Sequence, residues 1–199
     1  FWQKSDLGPI YPELLQQKGI VPGIKVDEGA KDFPGFPGET ATVGLDDLQE
    51  RVEKYFDNGA QFAKWRSIIV IDEDLGLPTD ESIETNADSM GRYARICQEA
   101  GIVPLIEPEV LLSGSHSIEK SEEITKKVVA KTFEKIKEYN AYIPGVVLKT
   151  SMVIAGDENA DEASPTEVAD ATARMLITSV PSDVGGVVFL SGGQTAVEA

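Results

Sequence analysis

The sequence predicts an α/β fold built on a parallel sheet, and three observations carry that prediction. Short apolar, β-branched runs alternate with longer amphipathic ones along the 199 residues. The short runs are nearly continuous in hydrophobicity, as strands covered on both faces are. No antiparallel hairpin signal joins them, so strand and helix succeed one another as a βα series.

In chain order, an initial helix is expected around 12–18, ahead of a first strand from Ile20 to Val26. The Gly- and Pro-rich stretch Phe33 to Gly44 reads as a long loop. Leu45, Leu48, Val52, Tyr55 and Phe56 then recur at helical spacing, and Asn58-Gly59 stops that helix. A second strand is expected over Phe62 to Ile71. Ile83, Ala87, Met90, Ala94 and Cys97 form the next apolar stripe, which ends at Gly101. The third strand is placed at Ile102 to Glu107, and Ile124, Val128, Phe133, Ile136 and Tyr139 mark the helix after it. Val146 to Lys149 is the fourth strand. Ser164-Pro165-Thr166-Glu167 combines a cap serine, a proline at the first helical position and a glutamate three residues after the cap. Val168, Ala171, Met175 and Leu176 carry that helix, and Gly186 to Leu190 is the fifth strand. Gln194 to Ala199 reads as the first turn of another helix.

No GxGxxG turn follows the first strand, so a dinucleotide fold lacks its fingerprint. A (β/α)8 barrel typically takes about 250 residues, and five strands in 199 residues suit a barrel missing some of its units. The expectation is a single, partial TIM-barrel domain over residues 1–199. A start at Phe1 without methionine, and an end inside a helical turn, read as a piece of a longer chain.

Composition bounds the chemistry. Hydrophobic residues make up 41%, an ordinary globular share. A formal net charge of −16 argues against nucleic acid or an anionic membrane as partner. The lone Cys97 lies in a helical apolar stripe, and the lone His116 lies in the polar loop Ser113-Gly114-Ser115-His116-Ser117. One cysteine forms no internal disulfide, which fits a reducing cytoplasm. One of each in unrelated surroundings also speaks against zinc.

The informative residues lie near the C-terminal ends of the strands. Lys149 stands in Gly145-Val146-Val147-Leu148-Lys149-Thr150, a run too apolar for a surface strand. Burial disfavours an ammonium, and the neutral amine it leaves attacks carbonyl carbon to give a Schiff base. Taken alone, such a lysine reads as one whose head group reaches water or a carboxylate. The company it keeps shifts the reading. Lys25 and Asp27, Lys64 and Arg66, and Glu107 and Glu109 are each two residues apart, so each pair faces one way. If Ala63 and Trp65 pack under helices, Lys64 and Arg66 point into the barrel, where charge is expected only at the catalytic mouth. The competing reading makes these residues a structural salt-bridge network. A pocket of lysines and an arginine in an acidic protein calls for an anionic ligand, phosphate first. The backbone of Ser191-Gly192-Gly193, after a strand, suits a phosphate cradle. By itself that tripeptide is a turn. The chemistry requires no metal and no cofactor.

Lys25 within GIKVD, AKWR at 63–66, EPE at 107–109, Lys149 with Met152-Val153, and FLSGGQ at 189–194 follow one another in an order that resembles class I (Schiff-base) fructose-1,6-bisphosphate aldolase. The resemblance runs over nearly the whole chain. It implies a TIM (β/α)8 barrel, a cytoplasmic enzyme of glycolysis and gluconeogenesis, and a homo-oligomer, often a tetramer. It also implies roles. Lys149 forms the Schiff base, Glu107 shuttles protons, Lys64 stabilises charge on substrate oxygens, and Glu109 supports the lysine network. Lys25 and Arg66 hold a phosphate end, and Ser191, Gly192 and Gly193 form the phosphate loop. Thr150 and Ser151 stand where many members have Pro-Asn. By the family pattern these residues hold strands three to seven. An essential aspartate of the first strand, a phosphate-binding arginine of the last and the C-terminal tail are expected outside them. The alternative is a non-catalytic barrel fragment that binds phosphosugar or acts in interactions. A smaller phosphosugar aldolase of Schiff-base type fits AKWR and FLSGGQ poorly.

Overall fold

A computed structural model describes residues 1–6, 8–161, 163–190, 192–195 and 197. Helix α1 (Tyr11–Gln17) leads into β1 (Gly23–Lys25). The strands β2 (Ala30–Asp32) and β3 (Thr40–Thr42) follow, then α2 (Leu48–Asp57) and β4 (Phe62–Ile69). From there strand and helix alternate strictly: α3 (Asp80–Glu99), β5 (Val103–Val110), α4 (Ile118–Glu138), β6 (Val147–Thr150), α5 (Pro165–Ser179) and β7 (Gly186–Phe189).

The five strands β1, β4, β5, β6 and β7 pair in that order and all are parallel. The order never reverses, as it does in a doubly wound sheet. Right-handed crossovers advancing one way put every helix on the same face. The contacts agree: Ala63, Trp65, Ile106 and Leu148 of the strands share one buried cluster with Tyr93, Phe133, Ile136 and Met175 of the helices. Among the described residues no helix covers the opposite face, as in the lining of a barrel. The fold is an arc of a (β/α)8 barrel.

Local chemistry sets the helix ends. Thr79 caps α3 by accepting the Ser82 N–H, and Ser117 caps α4 by accepting the Lys120 N–H. The capping box foreseen at Ser164 and Glu167 is formed, with Pro165 in the first turn of α5. Burying each large core side chain, Trp65 or Phe133 for example, contributes about 1.5–3 kcal/mol. Gly91 lets α3 and α4 approach closely, because a Cβ there would meet the Lys135 carbonyl at 2.8 Å.

Four expectations need correction. The 33–44 segment is not a plain loop: β2 and β3 form an antiparallel pair in the register Ala30↔Thr42 and Asp32↔Thr40. Side chains of α3 and its cap hold this hairpin. Asn86 accepts the Thr42 N–H and donates to the Thr40 carbonyl, while Glu39 accepts from both the N–H and the hydroxyl of Thr79. Strand limits also shift. The second strand stops at Ile69 and the third runs on to Val110, which places Glu109 inside it. His116, expected in a polar loop, is buried. The helical turn expected at 194–199 falls partly on residues outside those described, and Gln194 and Thr195 are not helical. No helix among the described residues is long and apolar enough to cross a membrane.

Candidate active site

Strand alternation builds the site. Along β4, Ala63, Trp65, Ser67 and Ile69 are buried, while Phe62, Lys64, Arg66 and Ile68 lie on the helix-free face. The parallel register sets Lys25 beside Lys64, and Arg66 beside Glu107. Lys149 follows Leu148, which pairs with Ile106, so one more step brings it level with Glu107. The helix-free face therefore has two layers. Toward the start of the strands, Phe62, Val103, Leu105 and Val147, with Val21 and Gln61, line an apolar recess of about 350 Å³. Above it, toward the strand ends, Lys64 and Arg66 of β4, Glu107 and Glu109 of β5 and Lys149 of β6 form a charged layer, with Ile68 beyond it at the end of β4.

The charges interlock. Glu107 is almost wholly buried, with Lys149 Nζ 2.8 Å from its Oε1 and Lys64 Nζ 2.9 Å from its Oε2. Both are ion pairs by distance, and the Oε2 contact falls short of hydrogen-bond alignment. Burial pushes the Glu107 carboxyl up, and the two ammonium groups outweigh burial, so it lies below the usual glutamate range. Arg66 donates from Nε to Glu109, and that contact, opposed by burial, holds the guanidinium proton more tightly than usual. Lys25 donates to both the carboxylate and the carbonyl of Asp27. The buried Asp27 carboxylate also accepts the N–H of Gly29 at 3.1 Å and of Arg66 at 3.2 Å. It ties the end of β1 to β4.

Six sequence-predicted residues thus meet on one face: Lys25, Lys64, Arg66, Glu107, Glu109 and Lys149. Two details differ from expectation. Lys149 is not a bare amine ringed by cations: its nitrogen touches a carboxylate, and its side chain is 30% exposed. Among the described contacts, Glu109 pairs with Arg66 and not with a lysine; the carboxylate shared by the lysines is Glu107. The pairs Lys64–Glu107 and Arg66–Glu109 are those of the competing salt-bridge reading, so pairing alone does not discriminate. Asp27 stands among the pocket charges with no role assigned by the sequence. Its spacing of two from Lys25 is the signal that places it.

Ser191 lies outside the described residues. Gly192 and Gly193 follow β7 at the rim. Gly193 has φ +78°, and a Cβ there would fall 2.6 Å from Leu112, which follows β5. Beside it a cleft of about 310 Å³ is lined by Leu112, Ile154, Gly156, Asp157 and Gln194. Ser151 donates its hydroxyl to the Val110 carbonyl, joining the ends of β6 and β5. Among the described residues no cluster of three or more His, Cys, Asp or Glu side chains could hold a metal ion.

Chemically, a primary amine in contact with a buried carboxylate can lose its proton to that carboxylate and attack a carbonyl. A second ammonium and a guanidinium nearby can bind anionic oxygens.

A family model described as "Glycolytic: Fructose-bisphosphate aldolase class-I" matches residues 1–199. The chain is 47% identical over 193 residues to a probable fructose-bisphosphate aldolase class 1 of Xanthomonas axonopodis pv. citri, covering 97% of this chain and 57% of that one. It is 44% identical over 198 residues to the fructose-bisphosphate aldolase of Dictyostelium discoideum, covering 100% of this chain and 56% of that one. A cytosolic aldolase of Arabidopsis thaliana is 41% identical over 198 residues, or 100% of this chain and 50% of that one. A solved structure of the Plasmodium falciparum fructose-bisphosphate aldolase, in complex with TRAP and a small-molecule inhibitor, superposes with a TM-score of 0.95 at 44% identity. That match covers 99% of this chain and 57% of that one. The chain spans little more than half the length of these relatives.

Proposed function

The chain belongs to the class I fructose-bisphosphate aldolase family, and we propose that the complete protein cleaves fructose 1,6-bisphosphate reversibly into dihydroxyacetone phosphate and glyceraldehyde 3-phosphate through a Schiff base on Lys149. The single observation that carries this reading is Lys149 Nζ against the buried Glu107 carboxylate on the helix-free face, a contact outside the pairs of the salt-bridge reading.

Glu107 takes a proton from Lys149, and the free amine adds to the ketone carbon to form a carbinolamine. Glu107 returns a proton to the carbinolamine oxygen, which leaves as water, and the iminium forms. The iminium draws the electron pair of the bond between the third and fourth carbons as Glu107, a carboxylate again, takes the proton of the fourth-carbon hydroxyl. Aldehyde departs, the enamine takes a proton at the third carbon, and water releases the second triose phosphate. Lys64 steadies negative charge on the substrate oxygens. Arg66, fixed by Glu109, and Lys25, fixed by Asp27, hold a phosphate end. Glu109 thereby acts through Arg66. Ser191, Gly192 and Gly193 supply the other phosphate cradle, and the complete protein is a cytoplasmic homo-oligomer.

Borohydride reduction of the full-length protein with dihydroxyacetone phosphate tests this. The expected product is a stable adduct on the peptide containing Lys149, abolished in Lys149→Arg. No adduct, or an adduct on another lysine, refutes it. A cleavage assay on the 199 residues alone separates the enzyme from the non-catalytic alternative. Because the site is expected to draw on residues outside this sequence, the isolated chain should show little turnover.

A further inference from the structure

Among the buried titratable groups that the mechanism leaves unused is His116. It sits between β5 and α4, 2% exposed, and both ring nitrogens are buried without a hydrogen-bond partner. Around it the loop after β6 is zipped to the loop after β5 by backbone bonds. Gly156 donates to the His116 carbonyl at 2.9 Å, Asp157 to the Leu112 carbonyl at 3.0 Å, and Glu158 to the Gly114 carbonyl at 2.9 Å. The Asp157 carboxylate accepts the Gly114 N–H at 3.0 Å, and Asn159 donates its side-chain amide to the Ser115 carbonyl at 2.8 Å. Gly156 and Gly114 have no room for a side chain between them, since a Cβ on Gly156 would lie 2.0 Å from the Gly114 carbonyl oxygen. The ring lies under this zipper. A Cβ on Gly114 would be 3.3 Å from both His116 Nδ1 and the Ile71 carbonyl of the loop after β4.

We propose that His116 is an acid-sensitive latch on the two loops that leave β5 and β6, the strands bearing Glu107, Glu109 and Lys149. The proposal does not depend on the aldolase reading. A neutral imidazole can stay buried with its nitrogens unpartnered at modest cost. An imidazolium presents two donors and a full charge where neither ring nitrogen has a hydrogen-bond partner. It also lies one residue before the Ser117 cap of α4, at the positive end of a 21-residue helix. Protonation therefore expels the ring and removes the packing beneath Gly114 and Gly156.

The charged groups acting on the ring from the facing loops are Glu73, after β4, and Asp157, after β6. Both favour the imidazolium, and burial outweighs them, so the latched ring protonates below the ordinary histidine range. Once expelled into water it protonates near 6.5. The latched state binds fewer protons, so acidification favours opening from about pH 6.5 downward, and above that pH the latch is indifferent.

Amide hydrogen exchange on the full-length protein at pH 7.5 and 5.5, corrected for chemical exchange, tests the latch, with α3 as internal control. Opening at Gly114, Gly156, Asp157 and Glu158 is expected to rise by up to about tenfold in the wild type. It should stay near unity in His116→Gln. Wild-type protection that ignores pH, or the same acid response in His116→Gln, overturns the proposal. If His116→Gln leaves the loops open at both pH values, Asp157→Asn decides. It keeps an acceptor for Gly114 but removes a charge that favours the buried imidazolium. A larger acid opening than in the wild type supports the latch, and an equal or smaller one refutes it.

Discussion

Glu107→Gln in the full-length protein removes the charge on which the site converges. The wild-type carboxylate is buried, with Lys149 Nζ at 2.8 Å and Lys64 Nζ at 2.9 Å. Removing one partner from a fully buried ion pair costs about 3–5 kcal/mol, because the remaining charge stays unpaired. Here the two lysine side chains are 30% and 23% exposed, and water reaching them offsets part of that cost. A loss of roughly 2 kcal/mol at pH 7 follows, read as a shift of the urea midpoint at constant slope. The pH dependence is fixed in sign. The folded carboxyl lies below its unfolded value of about 4.3. Its contribution is complete above that value and is lost as pH falls through the lower folded value, so parent and variant converge in strong acid. Activity should fall about 10²–10⁴-fold, the usual span for removing a general acid–base group. Borohydride trapping at Lys149 should slow in parallel, since the amine loses its proton acceptor. Cleavage within threefold of the parent, or an unchanged urea midpoint, would refute the reasoning.

Glu122 bridges helices, accepting from Lys126 of α4 and Arg174 of α5, and chiefly the Arg174 hydrogen bonds hold its carboxyl down at about 2. Glu122→Gln should lower thermal stability at pH 7, and the difference should shrink between about pH 4.5 and 2, measured by calorimetry across that range. Gly156→Ala should destabilise by roughly 2–3 kcal/mol and selectively expose the loop after β6 to protease, because the new methyl meets a backbone carbonyl that cannot step aside. Burial, opposed by Tyr93, pushes the Cys97 thiol up to about 12. Alkylation mapped to Cys97 at pH 8 should therefore be negligible in native protein and appear on unfolding.

The repeat of strands and helices was legible because its periods differ, near-continuous apolar runs against a spacing of three and four. The inward set was legible for the same reason: a spacing of two along a strand puts Lys64 with Arg66, and Glu107 with Glu109, whatever the neighbours are. The β2–β3 hairpin was not legible. Ala30-Lys31-Asp32 has no strand propensity of its own, and its pairing is held by Asn86, Glu39 and Thr79, distant in sequence. His116 misled for a similar reason. Its polar neighbours suggest solvent, while the loop that buries it lies some 40 residues further on.

The one-dimensional pattern by itself determined the succession of helices and parallel strands and which side chains share a face, because these follow from local period and handedness. Which opposite charges meet was decided only in three dimensions. Parallel register is set by how neighbouring strands and their covering helices pack. That packing gave Glu107 to Lys149 and Lys64 and Glu109 to Arg66, and so exchanged a bare amine among cations for an amine resting against the carboxylate that can relieve it of a proton.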